Sequence, residues 1–285
     1  MKYAMVVVCL AFGVSTGSAQ NRPGSPAGGG VRDLNMPRPI DAVESVWIEE
    51  LTWLEVRDAI RAGKTTAIVP TGGIEQNGPY LVTAKHNVIL RATAEAIAKK
   101  LGNALLAPIV AFVPEGGIDP PGGAMRFSGT ISVSDETFRR LLTDIGASLH
   151  AHGFTDIVYI GDSGGNQSGM RQVAEELTGR WAGSGARAHF IPEYYDWEGR
   201  QKWLQERGII EEDEGIHDEF SADAIMMLVD PRTVRMEERI RAGMFTIHGV
   251  SLAPAERTIE LGRGLVDYIA GVTAAAITER SRQRQ

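Results

Sequence analysis

Short apolar runs, each followed by a polar loop and an amphipathic stretch, recur along this sequence from residue 66 onward. The apolar runs have the length of buried strands, and the stretches between them have helical spacing. We predict strands over 66–70, 104–113, 156–160 and 188–191. Strands that alternate with helices form parallel sheets covered on both faces, so the pattern predicts an α/β fold with three αβα layers around a mainly parallel sheet. Function in such folds lies in the loops that leave the carboxyl ends of the strands.

Helix signals support this alternation. Ser134 stands before an apolar pattern that includes Phe138, and Asp135 lies in the first turn, as is typical of a capped helix start. Further helices are predicted over 88–101, 167–181 and 224–229. Because no internal repeat and no linker interrupts the pattern, we interpret residues 45–285 as one domain.

The first residues have the pattern of a secretory signal peptide: a positive start at Lys2, an apolar run over 4–14 and small residues that end at Ala19. Such a segment is removed from the mature protein. We therefore predict a signal peptide over 1–19 and a location in the periplasm or outside the cell. Residues 20–44, rich in Gly, Pro and Ser, predict a flexible leader.

Composition restricts the chemistry and the partners. The lone cysteine, Cys9, lies in the predicted signal peptide, so the mature chain would have neither disulfides nor thiolate ligands. The formal net charge is -7, and Lys and Arg are scattered among Asp and Glu, which predicts no nucleic-acid partner. The N-terminal apolar run is too short to span a bilayer, so no membrane partner is predicted either. We expect a small-molecule substrate.

Polar residues concentrate in the loops that follow the predicted strands. The loop over 71–87 contains Glu75 and His86, and the loop over 161–167 contains Asp162. Carboxylate and imidazole groups of this kind bind Zn²⁺ or Mn²⁺ and activate water. Because the carboxyl ends of parallel strands meet at one edge of a sheet, these groups can converge there.

These loops resemble the motifs of one enzyme family. The chain reads GGIEQNGPYL at 72–81, KH at 85–86, FSGT at 127–130 and GDSGGN at 161–166, with His217 further on. In order and spacing, from Trp47 to Gly262, the chain is similar to the creatininase family of metal-dependent amidohydrolases. The resemblance implies a creatininase-like fold, hydrolysis of a C–N bond and assembly into a homo-oligomer.

The resemblance departs at the family's metal ligands. Glu75 matches a ligand, whereas Asn77, His86 and Ser163 stand where the family has a His, a bridging Asp and a His. Loss of a two-metal centre is implied, because a histidine bridges two ions poorly. We predict that Glu75, His86 and Asp162 hold a single Zn²⁺ or Mn²⁺ ion per chain. The alternative is that His86 and Asp162 hydrogen-bond to each other or to the backbone and hold no metal.

His217 matches a family histidine that transfers protons in the substrate pocket. We predict that His217, with Glu219 beside it, acts as a general acid or base. The alternative is a surface histidine that follows the acidic run over 211–214. The family also has a glutamate where this chain has Ala222, so no residue of this chain matches that glutamate.

Substrate contacts are predicted from the same loops and from an aromatic run after the fourth predicted strand. Aromatic rings can stack on a planar ligand, although Tyr and Trp are also favoured at subunit contacts. The predicted substrate-binding residues are Asn77, Tyr80, Ser163, Asn166, Tyr195 and Trp197.

These features predict an exported, metal-dependent hydrolase that acts on a C–N bond in a small amide or cyclic amide. Two alternatives stay open: a non-catalytic member of the same fold that binds a small molecule, and a lactone hydrolase. Metal content separates the hydrolase from the binding protein.

Overall fold

The computed structural model describes residues 33–283. The predicted signal peptide over 1–19 lies outside the described residues, and so does most of the predicted leader over 20–44. Residues from Ile40 onward form one compact unit, to which residues 33–39 do not belong. The predicted boundaries after residues 19 and 44 stay predictions.

Four parallel strands form the central sheet in the order β2, β1, β3, β4. They are β1 (Thr66–Thr71), β2 (Ala104–Leu106), β3 (Asp156–Gly161) and β4 (Arg187–Phe190). At the carboxyl ends of the two central strands, Thr71 pairs with Gly161. The arrangement confirms the predicted parallel sheet and places the ends of β1 and β3 side by side.

β2 is shorter than the predicted strand over 104–113. Pro108 follows Leu106 closely and has no backbone N–H, so it cannot continue the hydrogen-bond ladder. Further on, the N–H of Val110 donates to the carbonyl of Pro70 at 2.9 Å. The chain therefore reaches the carboxyl edge of the sheet as an irregular segment rather than as a strand.

Eight α-helices are present in the described part of the chain. They are α1 (Trp53–Arg61), α2 (Lys85–Leu101), α3 (Asp135–Ala151), α4 (Asn166–Arg180), α5 (Trp197–Gln205), α6 (Phe220–Val229), α7 (Met236–Ala242) and α8 (Ala255–Arg282). The sequence predicts α3 with its cap, and Ser134 Oγ indeed accepts the N–H of Thr137 at 3.1 Å. α2 begins earlier than the predicted helix over 88–101, so Lys85 and His86 lie in its first turn.

Successive residues of the central strands contribute to opposite faces of the sheet. Ile68 and Val158 belong to an apolar cluster that includes residues of α2, α6 and α8. Ala67 and Tyr159 belong to a second cluster, with residues of α1, α3 and α4. Helices thus cover both faces, which confirms the predicted αβα layers.

A short antiparallel hairpin precedes α8. Its strands are β5 (Thr246–Ile247) and β6 (Val250–Ser251). The turn between them contains His248 and Gly249, whose φ angles of 48° and 75° suit a tight hairpin. Among the helices within residues 33–283, none has the length and apolarity needed to cross a membrane.

Gly262 lies where α8 packs against the backbone of α6. A Cβ at Gly262 would lie 2.0 Å from the carbonyl oxygen of Ala224, and a helix backbone cannot move aside as a flexible side chain can. We expect Gly262→Ala to lower the free energy of unfolding by about 1–3 kcal/mol. Gly271→Ala on the same helix meets nothing within 4 Å and should raise it by up to about 1 kcal/mol. Chemical denaturation measures both, and equal stability of the two variants would contradict this packing.

Candidate metal centre in a polar cavity

A cavity of about 540 Å³ is lined by the loops that follow β1 and β3. Most of the predicted site residues line it, namely Glu75, His86, Asp162, Ser163, Tyr195, Trp197, His217 and Glu219. The polar loops of the sequence therefore do converge at the carboxyl edge of the sheet.

His86 lies deep in this cavity between two carboxylates. Its Nε2 is 2.5 Å from Oε1 of Glu75, and its Nδ1 is 2.8 Å from Oδ2 of Asp162. Burial by itself lowers the pKa of His86, but the hydrogen bonds to Asp162 and Glu75 outweigh it and raise the pKa to about 9. In the ion-free protein at neutral pH, His86 is therefore an imidazolium that donates one N–H to each carboxylate.

Glu115 is a further carboxylate of this cavity and is not among the residues predicted from the sequence. Burial, and then the negative charge of Glu75, raise the pKa of Glu115 to about 8. Ser163 Oγ donates to its Oε2 at 3.2 Å. As a carboxylate, Glu115 has no hydrogen-bond donor for Oε1 within residues 33–283. A buried anion of this kind needs a proton or a cation nearby.

Residues distant in sequence hold Glu115 in place. Ser132 Oγ accepts the backbone N–H of Glu115 at 3.0 Å and donates to the carbonyl of Gly116 at 2.8 Å. A Cβ at Gly73 would lie 1.9 Å from Glu115 Oε1, so glycine leaves the space that this carboxylate occupies. The sequence contains one signal for its position in the cavity. Glu115 follows the predicted strand over 104–113, just as Glu75 and Asp162 follow predicted strands.

The residues present fit one divalent ion. Glu75, His86 and Glu115 each offer one ligand atom, and these atoms lie within 4.8 Å of one another. Two carboxylates and one imidazole form a donor set that binds Zn²⁺ or Mn²⁺ and leaves coordination positions for water. An ion would replace the protons that His86 and Glu115 hold in its absence.

Asp162, predicted as a metal ligand, lies outside this group of three. It accepts a hydrogen bond from His86 Nδ1, while Nε2 is the ring atom that faces Glu75. A carboxylate on the remote nitrogen of a ligand histidine fixes its tautomer and orientation. Asp162 thus occupies the position of an orienting carboxylate. The alternative predicted from the sequence, a hydrogen bond between His86 and Asp162, is thus present.

His217 is half exposed, and its ring faces the three-residue group. Its Nδ1 lies 2.9 Å from the carbonyl oxygen of Gln76, which can only accept, so Nδ1 carries a proton. Its Nε2 lies 3.7 Å from Oε1 of Glu75. Glu219, predicted to assist His217, lines the same cavity and immediately precedes α6.

Asn166, predicted to bind substrate, is fully buried and is not among the residues that line the cavity. Its Nδ2 donates to both oxygens of Thr71 at 3.2 and 3.0 Å and to the carbonyl of Gly72 at 2.8 Å. Asn166 therefore connects the start of α4 to the end of β1 by hydrogen bonds. The polar residue in this loop stabilises the scaffold of the site.

Asn77 and Tyr80, also predicted to bind substrate, likewise lie away from the cavity lining. The Asn77 side chain is buried and donates to the backbone carbonyl of Glu75 at 2.9 Å. The ring of Tyr80 lies 4.4 Å from the Arg239 guanidinium carbon. Of the predicted substrate contacts, Ser163, Tyr195 and Trp197 line the cavity, where a substrate can reach them.

Comparison with known proteins gives matches over most of the chain. The family model of Creatininase (Creatinine amidohydrolase) matches residues 49–277. Creatinine amidohydrolase of Pseudomonas putida is 29% identical over 115 residues, which are 40% of this chain and 44% of that protein. The mycofactocin precursor peptide peptidase of Mycobacterium ulcerans (strain Agy99) is 32% identical over 126 residues, 41% of this chain and 48% of that protein. The alignments span less than half the length of these curated relatives.

Solved creatininase structures share the fold. The structure described as Creatininase Mn has a TM-score of 0.59 at 19% identity and covers 84% of this chain and 98% of its own. A crystal structure of creatinine amidohydrolase (creatininase) has a TM-score of 0.57 at 22% identity and covers 85% of this chain and 98% of its own. With this shared architecture and a family match over residues 49–277, the chain belongs to the creatininase family.

Proposed function

We propose that this protein is a metal-dependent hydrolase that cleaves a C–N bond in a small amide or cyclic amide. The observation that carries the proposal is the buried group of Glu75, His86 and Glu115 in a cavity of about 540 Å³. A cavity of this size suits a small molecule. Export and assembly into a homo-oligomer belong to the same proposal, and they rest on the first 19 residues and on the family resemblance.

Glu75, His86 and Glu115 would hold the ion. When bound, a Zn²⁺ or Mn²⁺ ion lowers the pKa of a water molecule and polarises the substrate carbonyl. Asp162 keeps His86 in the orientation that presents Nε2 to the ion, because it holds Nδ1 at 2.8 Å. The aromatic side chains of Tyr195 and Trp197 line the cavity and are partly exposed, so their rings can contact a bound substrate.

His217 is the group that we assign to proton transfer. Its Nδ1–H is held by the carbonyl of Gln76, so Nε2 is the ring nitrogen that can exchange a proton with a bound molecule. His217 can take a proton from the attacking water and deliver it to the leaving nitrogen. Its half-exposed position also allows proton exchange with solvent.

The relatives support the reaction class. The names creatinine amidohydrolase and precursor peptide peptidase both describe hydrolysis of an amide C–N bond. Related creatininase structures are described as Mn and as Zn-Zn forms. For this chain we propose a single ion, because Asn77, His86 and Ser163 replace residues of the family's metal-site pattern.

Full-length protein purified with metal supplied tests this function. We expect about one Zn²⁺ or Mn²⁺ ion per chain by elemental analysis. At least one compound from a panel of creatinine, lactams and short peptide amides should be hydrolysed. This activity should be lost when a chelator removes the ion and should recover when the ion is added back. Glu75→Gln should remove both ion and activity, whereas Glu256→Gln, at an exposed carboxylate on α8, should change neither. Ligand binding without ion or turnover would favour the non-catalytic alternative instead.

A further inference from the structure

Lys85 places a buried cation in the same cavity. It is the first residue of α2, is 2% exposed and lines the cavity. Within residues 33–283, its ammonium has no hydrogen-bond partner and no carboxylate oxygen within 4.0 Å. A buried ammonium without a partner costs free energy, and an anionic ligand offsets this cost.

Arg200 in α5 adds a second cation to the cavity lining, and it is 6% exposed. Its Nη2 donates to the carbonyl of Tyr194 at 2.7 Å, and its Nη1 lies 3.7 Å from Oδ1 of Asp162. Its Nε has no partner within the described residues. Lys85 therefore brings to the cavity lining a donor without a protein acceptor, and Arg200 adds a second positive charge to that lining.

The carboxylates of the cavity do not neutralise Lys85 by direct contact. Glu75 and Asp162 both accept hydrogen bonds from the buried imidazole between them. Glu115 and Glu219 are the other carboxylates in the lining. None of these groups forms an ion pair within 4.0 Å with the Lys85 ammonium. The ammonium thus keeps its donors for a bound molecule.

We propose that the substrate is an amide that carries a carboxylate close to its scissile bond. The Lys85 ammonium binds this carboxylate, and the positive charge of Arg200 in the same cavity lining favours it. The proposal rests on the proposed function, because it specifies which class of amide the hydrolase accepts. An N-acylated amino acid has its amide bond and its carboxylate at such a spacing. The contact with Lys85 would join two charged groups, and hydrogen bonds of this kind are stronger than those between neutral groups.

Isothermal titration with N-acetylglycine and its neutral counterpart N-acetylglycinamide tests this inference. Full-length wild-type protein, both ion-free and supplied with Zn²⁺, should bind the acid about tenfold more tightly than the amide. Lys85→Met should reduce this preference to about twofold or less, and Lys85→Arg should retain it. Lys100→Met, at an exposed position on the same helix, removes the same charge and should leave the preference unchanged.

Equal affinity of the wild-type protein for acid and amide would overturn the inference. So would the absence of measurable binding of either molecule at millimolar concentration. If Lys85→Met keeps the preference for the acid, either ion-free or with Zn²⁺, another group binds the carboxylate of the ligand. This result would also overturn the inference. Because the titrations need no turnover, their failure is distinct from failure of the proposed function, which is decided by metal-dependent hydrolysis.

Discussion

Replacing Glu115 by glutamine should weaken the binding of Zn²⁺ or Mn²⁺ by more than about 100-fold and abolish metal-dependent hydrolysis. Glu115 supplies one of the three ligand atoms that lie within 4.8 Å of one another, and an uncharged amide is a poor ligand for these ions. The fold should persist, because glutamine resembles the protonated side chain that a pKa of about 8 gives the ion-free protein. Competition with a chromophoric chelator measures the affinity, and circular dichroism checks the fold.

Two matched variants make this result specific. Glu219→Gln removes a carboxylate that lines the same cavity but lies outside the group of three, so the affinity should stay within about twofold. Asp162→Asn should cost about 10–100-fold, because Asp162 orients a ligand rather than binding the ion. If Asp162→Asn abolished binding and Glu115→Gln had no effect, the ligand set predicted from the sequence would be the correct one.

Ion binding should tighten by up to about 100-fold per pH unit between about pH 6 and 7. Without an ion, the pKa of His86 is about 9 and that of Glu115 is about 8. Both groups hold a proton at neutral pH, and both must lose it before they can coordinate a cation. Each released proton contributes about tenfold per pH unit, and the dependence should level off as the pH passes these two values.

The same protons set the sign of the pH dependence of stability in the ion-free protein. The folded-state pKa of His86 lies above its ordinary value of 6.5, and that of Glu115 lies above 4.5. Their contributions are complete below those ordinary values and are lost as the pH rises through about 9 and about 8. A pH series of dissociation constants, with denaturation in excess chelator, measures both effects. An affinity that does not change with pH would contradict the proton exchange.

The central strands were the most predictable part of the fold. β1 and β3 are fully buried along their length, so each appears in the sequence as an apolar run between polar loops. From these runs the sequence predicts that Glu75 and Asp162 lie at neighbouring strand ends. It does not predict the correct set of metal ligands, because strand position does not determine which side-chain atoms come within a few ångströms of one another.

Glu115 could not be assigned as a ligand because it lies on irregular backbone. Pro108 ends the regular pairing of β2, and a segment without a repeating geometry does not reveal where its side chains point. The groups that orient Glu115, Ser132 and Gly73, come from distant parts of the sequence. Their contacts with Glu115 exist only after the chain has folded.

α8 was not predicted, although it has 28 residues. Several of its buried positions are small, including Gly262, Ala270 and Ala274, so its buried and exposed faces differ little in hydrophobicity. Its packing against α2 and α6 stabilises it, and that packing is a tertiary effect that local sequence does not contain.

Asn166 donates from one amide nitrogen to three oxygens at the end of β1. Because these bonds join groups of the protein itself, the folded chain places Glu75 and Asp162 in one cavity without the help of a ligand. Side chains above this junction, such as Asn77 and His86, can differ between proteins of one fold while the scaffold persists. The scaffold of this fold therefore sets where a reaction can take place, whereas the side chains at that place select the ion and the substrate.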